Sequence, residues 1–191
     1  MTTPPPAMEV LPWQRFGEAA RDLARTVHTS GWMPDLVIAV ARGGLVPAGS
    51  IAYALGVKAM GTMNVEFYTD IEQTLPDPVV LPPLLDTTVL AGAKVLVVDD
   101  VADSGRTLQV VMNLLREGTA SPEPDGAAST ERPAPLRVAH LPSEARSAVL
   151  YTKPRSIIEP DYTWRRTDRW ISFPWSAQPP VTGEATPSPS A

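Results

Sequence analysis

Residues Val95 to Leu108 read Val-Leu-Val-Val-Asp-Asp-Val-Ala-Asp-Ser-Gly-Arg-Thr-Leu, and no other stretch restricts the fold so tightly. An apolar run ends in two adjacent acids, crosses a small polar loop and enters residues that can open a helix. That order is a buried parallel strand, a turn at its carboxyl end and a helix amino terminus, where open α/β sheets bind ligands. Asp103, Ser104, Gly105, Arg106 and Thr107 can aim several backbone N–H groups and two hydroxyls at one anion. The helix behind them adds a partial positive charge of roughly half a unit. Ser and Asp are also ordinary helix caps, so the loop alone leaves a structural reading open. Asp99 and Asp100 argue more strongly for a ligand. Acids at the end of a buried strand are costly unless they meet a metal, hydroxyls or cationic partners.

A second loop has the same setting. Asp35 to Val40 is apolar after its first residue and reads as a central parallel strand, followed by Ala41-Arg42-Gly43-Gly44. The glycines let backbone N–H groups approach an anion closely, and Arg42 adds a planar fork for phosphate oxygens. A strand–Arg-Gly-Gly turn also serves simply as a tight bend. Two such loops at corresponding strand ends can hold opposite ends of one ligand carrying two phosphate groups.

Downstream lie Tyr151-Thr152-Lys153-Pro154, Glu159 to Trp164, and Asp168-Arg169-Trp170-Ile171-Ser172-Phe173-Pro174-Trp175. Six of the chain's 12 aromatics fall between Tyr151 and Trp175. They suggest a wall for a flat ligand or a packed cap over a site, with about four of the six rings simply packing. Lys153 has a logic of its own. An ammonium only donates, so it favours a carbonyl acceptor and opposes an amino group. A surface lysine after a strand is the plain alternative.

The strand, acid pair and loop resemble the signature of the type I phosphoribosyltransferases, which bind phosphoribosyl pyrophosphate (PRPP). The Lys-Pro, Asp-Tyr and Trp-Ile-x-x-Pro-Trp succession resembles the hood of the bacterial xanthine-guanine enzymes. The resemblance spans about residues 31–175 and implies an α/β fold, a mostly parallel central sheet flanked by helices with a small C-terminal hood. It implies that Asp103 to Thr107 grip the 5′-phosphate and that Arg42, Gly43 and Gly44 form the pyrophosphate loop. It further implies that Trp170 stacks on a purine, that the Ile171 carbonyl reads its edge, and that Lys153 reaches the oxygen at position 6. The expected reaction is phosphoribosyl transfer to guanine, xanthine or hypoxanthine. Asp99 and Asp100 are the candidates for ribose hydroxyls and for Mg²⁺, directly or through water, and Asp103 for the purine N7 proton. The chain departs from the family at Arg106, where glycine or alanine is common, and in its insertion and tails. A PRPP- or nucleotide-sensing regulator of the same fold is the alternative.

Met1 to Pro12 reads as a flexible, proline-rich arm, and residues 13–176 as the domain, with its hood at about 153–175. Trp13, Phe16, Ala20, Leu23 and Val27 recur at helical spacing and are expected in the core, with Gly31 closing that helix. A helix is expected from near Pro47 to Gly56, a strand from Lys58 to Phe67, and a helix from Thr107 to Glu117. Thr69 to Asp86, with four prolines, reads either as a mobile functional loop or as a hairpin. Residues 119–135 read as a disordered insertion and 177–191 as a disordered tail. Leu136 to Pro142 is ambiguous between a strand and that insertion, whereas Ser147 to Tyr151 reads as a buried strand.

A formal net charge of −5 argues against general affinity for nucleic acid or anionic membrane. With no cysteine and only His28 and His140, thiolate and histidine metal sites give way to an oxygen-bound Mg²⁺. No apolar run approaches the ~20 residues needed to cross a bilayer, and no basic-then-apolar leader opens the chain. The cytoplasm is the expected address and a homo-oligomer, dimer or tetramer, the expected assembly.

Overall fold

The computed structural model describes residues 8–66, 69–70, 73–74, 79–80, 87–119 and 138–181. In chain order these form β1 (Met8–Val10), α1 (Trp13–Thr29), β2 (Leu36–Ala41), α2 (Leu45–Leu55), β3 (Ala59–Glu66), β4 (Thr69–Asp70), β5 (Gln73–Thr74) and β6 (Val79–Val80). A 3-10 turn (Thr87–Leu90) leads to β7 (Lys94–Ala102), α3 (Arg106–Glu117), β8 (Glu144–Thr152), β9 (Tyr162–Arg166) and β10 (Trp170–Ser172).

The main sheet has the order β6-β3-β2-β7-β8-β9. Its five longer strands run parallel, and β6 pairs antiparallel at the edge. The central strands read as continuous apolar runs because both of their faces are covered. Alternate side chains then go to opposite layers. Val37 and Ala39 of β2 join Leu96 and Val98 of β7 in the cluster under α1 and α2. Leu36, Ile38 and Val40 join Val95 and Val97 beneath α3. Parallel neighbours with helices between them end on the same edge, so the turns after β2 and β7 sit side by side.

Several expectations shift in detail. Residues 8–10, expected within the arm, form a strand that pairs in parallel with β10 (Met8↔Trp170, Glu9↔Ile171, Val10↔Ser172). Leu11 behind it is buried, and its N–H donates to the Ser172 carbonyl at 3.0 Å; that apolar anchor secures the strand. Trp13, expected in the core, is 57% exposed. As the first residue of α1 it packs only at its side, edge-on to Phe16 and tilted against Trp175. α2 begins two residues before Pro47 and ends at Gly56, whose positive φ of 74° closes it. β4 and β5 pair antiparallel within the segment left open between loop and hairpin. Residues 138–142 carry no strand. The expected insertion falls almost wholly outside the described residues, as do residues 182–191. No described helix is long and apolar enough to cross a membrane.

Candidate active site

The 42–44 loop leaves β2 and opens α2; the 103–107 loop leaves β7 and opens α3. In both places the residue before the helix is a glycine, Gly44 and Gly105, and no side chain caps the helix. Only a long 3.4 Å approach of the Arg106 N–H to Ser104 Oγ comes near such a cap. The plain capping role open to Asp103 and Ser104 is therefore not the one adopted. The first-turn amides, with the positive end of the helix dipole, face the sheet's edge.

The two loops touch. A Cβ built on Gly43 would lie 2.5 Å from Asp100 Cγ and 2.6 Å from its Oδ1, so only glycine lets that carboxylate rest against the loop. A Cβ on Gly44 would lie 2.6 Å from the Val40 carbonyl oxygen and 2.9 Å from its nitrogen. The Ala41–Arg42 peptide is cis, and Arg42 is exposed. The acid pair and the arginine–glycine turn thus lie against each other at the sheet's edge.

Asp99 is buried, 8% exposed, and its Oδ1 accepts the Asp100 N–H at 2.8 Å. Burial raises its pKa well above the ordinary carboxylate value, and the Asp100 charge raises it further. Burial likewise pushes Asp100 up, to about 6, against backbone N–H groups and a hydrogen bond from the Trp175 side chain that favour its charged form. Among the described residues, two adjacent acids held in this way have no cationic partner. Among the described residues no three His, Cys, Asp or Glu side chains gather as a metal cage. A hard cation here would draw most of its oxygen ligands from water and from a bound molecule, as Mg²⁺ commonly does.

The hood rises beside the 103–107 loop. The Lys153 N–H donates to the Ala102 carbonyl at 3.0 Å, so the lysine leaves β8 next to the signature loop. Its ammonium is buried and donates to the Arg169 carbonyl. That contact brings it to the start of β10, which carries Trp170 and Ile171. Ile171 is buried, whereas Trp170 is 66% exposed. The other five aromatics of this region pack: Tyr151 against Trp164 and Phe173, Phe173 stacked on Trp175 at 5.0 Å, and Tyr162 near Trp32. One ring is left free to meet a ligand.

Sequence reasoning missed two residues. The Arg155 guanidinium grips Asp103, with Nε to Oδ1 at 3.0 Å and Nη2 to Oδ1 and Oδ2 at 2.6 and 2.5 Å. The partners are 52 positions apart, and a lone arginine in Lys-Pro-Arg-Ser gives no local signal. Trp175 was visible as part of a motif, but its bond to Asp100 was not.

Comparison with known proteins fixes the lineage. Residues 6–181 match the family described as the phosphoribosyl transferase domain. The chain belongs to that family. It is 29% identical over 168 residues to a xanthine-guanine phosphoribosyltransferase of Nitratidesulfovibrio vulgaris, covering 87% of this chain and 83% of that one. A protein of the same description from Cereibacter sphaeroides is 28% identical over 170 residues, covering 85% and 83%. Among solved structures, a purine phosphoribosyltransferase from Pyrococcus horikoshii is 31% identical with a TM-score of 0.67, covering 93% of this chain and 99% of that one. The fold is that of the type I phosphoribosyltransferases, and the protein is a phosphoribosyltransferase.

Proposed function

We propose that this phosphoribosyltransferase moves the 5-phosphoribosyl group of PRPP onto a ring nitrogen of a 6-oxopurine (guanine, xanthine or hypoxanthine), releasing the nucleotide and pyrophosphate in purine salvage. The observation that carries the reading is the junction of three parts at one sheet edge. Gly43 abuts Asp100, the 103–107 loop opens α3 without a side-chain cap, and Lys153 reaches β10 beside Trp170. The names of the relatives point the same way.

In this reading the backbone N–H groups of the 103–107 loop hold the 5′-phosphate, with the hydroxyls of Ser104 and Thr107 and the charge of Arg106 assisting. Charge-assisted bonds of this kind contribute roughly 1.5–3 kcal/mol each. Arg42, Gly43 and Gly44 take the pyrophosphate. Departure of pyrophosphate leaves cationic character on the sugar carbon. The charges of Asp99 and Asp100 stabilise that centre and orient the ribose hydroxyls. Mg²⁺ bound with PRPP would neutralise the leaving group's charge, and the Asp99–Asp100 carboxylates, with no cationic partner among the described residues, fit it directly or through water. Trp170 stacks on the base, the Ile171 carbonyl reads its edge and Lys153 donates to its position-6 oxygen. Asp103 accepts or holds the N7 proton. A cytoplasmic homo-oligomer goes with this reading, and the apolar Leu45 and Tyr53 left exposed on α2 support the assembly.

The test is nucleotide formation, followed by absorbance, with PRPP, Mg²⁺ and each of guanine, hypoxanthine, xanthine and adenine. The oxopurines should react and adenine should not; turnover of adenine at a similar rate would overturn the role of Lys153. Asp103→Asn should lower kcat far more than PRPP affinity. Unchanged turnover would remove the proton-acceptor assignment.

A further inference from the structure

Arg155 has been given no role so far, yet its guanidinium holds both oxygens of Asp103. The pair is half-exposed, with side-chain exposures of 69% and 44%. Such a pair contributes little to folding. Nor is it needed to join the two loops, which are laced by main chain. Lys153 N–H donates to the Ala102 carbonyl and Ile157 N–H to the Ser104 carbonyl, each at 3.0 Å. Next to those bonds Gly105, at φ 78°, fits against the hood so closely that a Cβ would sit 2.9 Å from Ile158 Cγ2 and 3.1 Å from the Ile157 nitrogen. Arg155 projects from the middle of this seam onto the one acid of the 103–107 loop.

A guanidinium fork differs from a point charge in that it sets the plane of the carboxylate it grips. Asp103 meets it through Nε and Nη2 only, so lone pairs on both oxygens remain open to a further donor. Held in this way, the carboxylate has a set orientation before any base arrives. A free aspartate on a polar loop would have to find that orientation during the reaction, and orientation is worth large factors in rate.

We propose that Arg155 is a positioning residue of the transfer reaction, acting through Asp103 and fixing its carboxylate from the hood side. This rests on the proton-acceptor reading of Asp103 given above. The base-reading hood and the sugar-holding loop then share one side-chain link, so the acceptor's placement depends on the hood's own position.

The experiment is a double-mutant cycle on the full chain with Arg155→Met, Arg155→Lys, Asp103→Asn and the Asp103→Asn/Arg155→Met pair. It measures kcat and the KM values for PRPP and for the best oxopurine. Arg155→Met should lower kcat about tenfold and leave both KM values within about twofold. Arg155→Lys should recover only part of the loss, since it restores charge without the fork. In the Asp103→Asn background, Arg155→Met should change kcat by less than about twofold. An equal loss in both backgrounds would overturn the proposal while leaving Asp103 its role. A raised PRPP KM at unchanged kcat would overturn it too, making Arg155 a phosphate ligand. If Asp103→Asn alone leaves turnover intact, the acceptor reading fails first and takes this proposal with it. Thermal melting of each variant checks folding, which an exposed arginine should not affect.

Discussion

Replacing Asp100 by asparagine should make this enzyme more stable and nearly inactive, and the structure gives the size of the gain. Burial raises the Asp100 carboxyl from an ordinary 3.8 to about 6. The folded protein therefore holds this proton more tightly than the unfolded chain does. As pH rises between about 4 and 6, the unfolded chain ionises first, so stability falls across that window and stays lowered above it. A difference of about two pKa units, at about 1.4 kcal/mol each, is a loss of about 3 kcal/mol at neutral pH. Asparagine has the same shape, stays neutral, and keeps an oxygen for the Trp175 side chain to bond. It also removes the charge that raises Asp99. Without ligand at pH 8, Asp100→Asn should melt on the order of 6–12 °C above the parent, at 2–4 °C per kcal/mol for a domain of this size. At pH 4 the two should nearly coincide. Scanning calorimetry or a fluorescence melt at each pH reads the difference. Equal melting temperatures at pH 8, or a gain that persists at pH 4, would refute the claim that the acid pair is held against its own desolvation. Added Mg²⁺ should stabilise the parent more than the variant and narrow the gap.

Two further substitutions separate site geometry from fold. Gly43→Ala puts a methyl group on the Asp100 carboxylate. That side chain can swing aside, so melting should change little, while a displaced acid should cost on the order of 10²-fold in kcat/KM; near-normal activity would mean that the contact does not matter. Trp170→Ala removes a ring that is already 66% exposed. Its melting temperature should barely move, and the KM for the purine should rise roughly tenfold with little change for PRPP. A comparable rise for PRPP would show that the ring does not serve the base.

What the sequence revealed, and what it hid, divides along sequence distance. β7 and α3 were legible almost to the residue, because an apolar run, two acids and a glycine punctuate one continuous stretch and local rules govern each part. The same holds for α2, whose end at Gly56 is set by one residue's backbone. Trp13 was misjudged because helical spacing identifies a face but not how fully each position on it is covered. β1 was hidden behind prolines; its strand exists only because β10, from the far end of the chain, offers it a ladder. The grip of Arg155 on Asp103 and the bond from Trp175 to Asp100 are of the same kind. Each joins residues with no local pattern in common, brought together only once the surrounding strands are assembled. The loops at the sheet's edge could thus be located directly, while the side chains that brace them could not.

The parallel ladder between β1 and β10 has a practical consequence. Trp170 and Ile171, to which the base is assigned, have Met8 and Glu9 as their strand partners. A shortened version starting at Trp13, tempting on grounds of composition, would keep every residue named for chemistry and still strip β10 of its strand partner. If Trp170 and Ile171 hold the base as proposed, its choice rests partly on a few residues near the chain's start that need never touch a substrate.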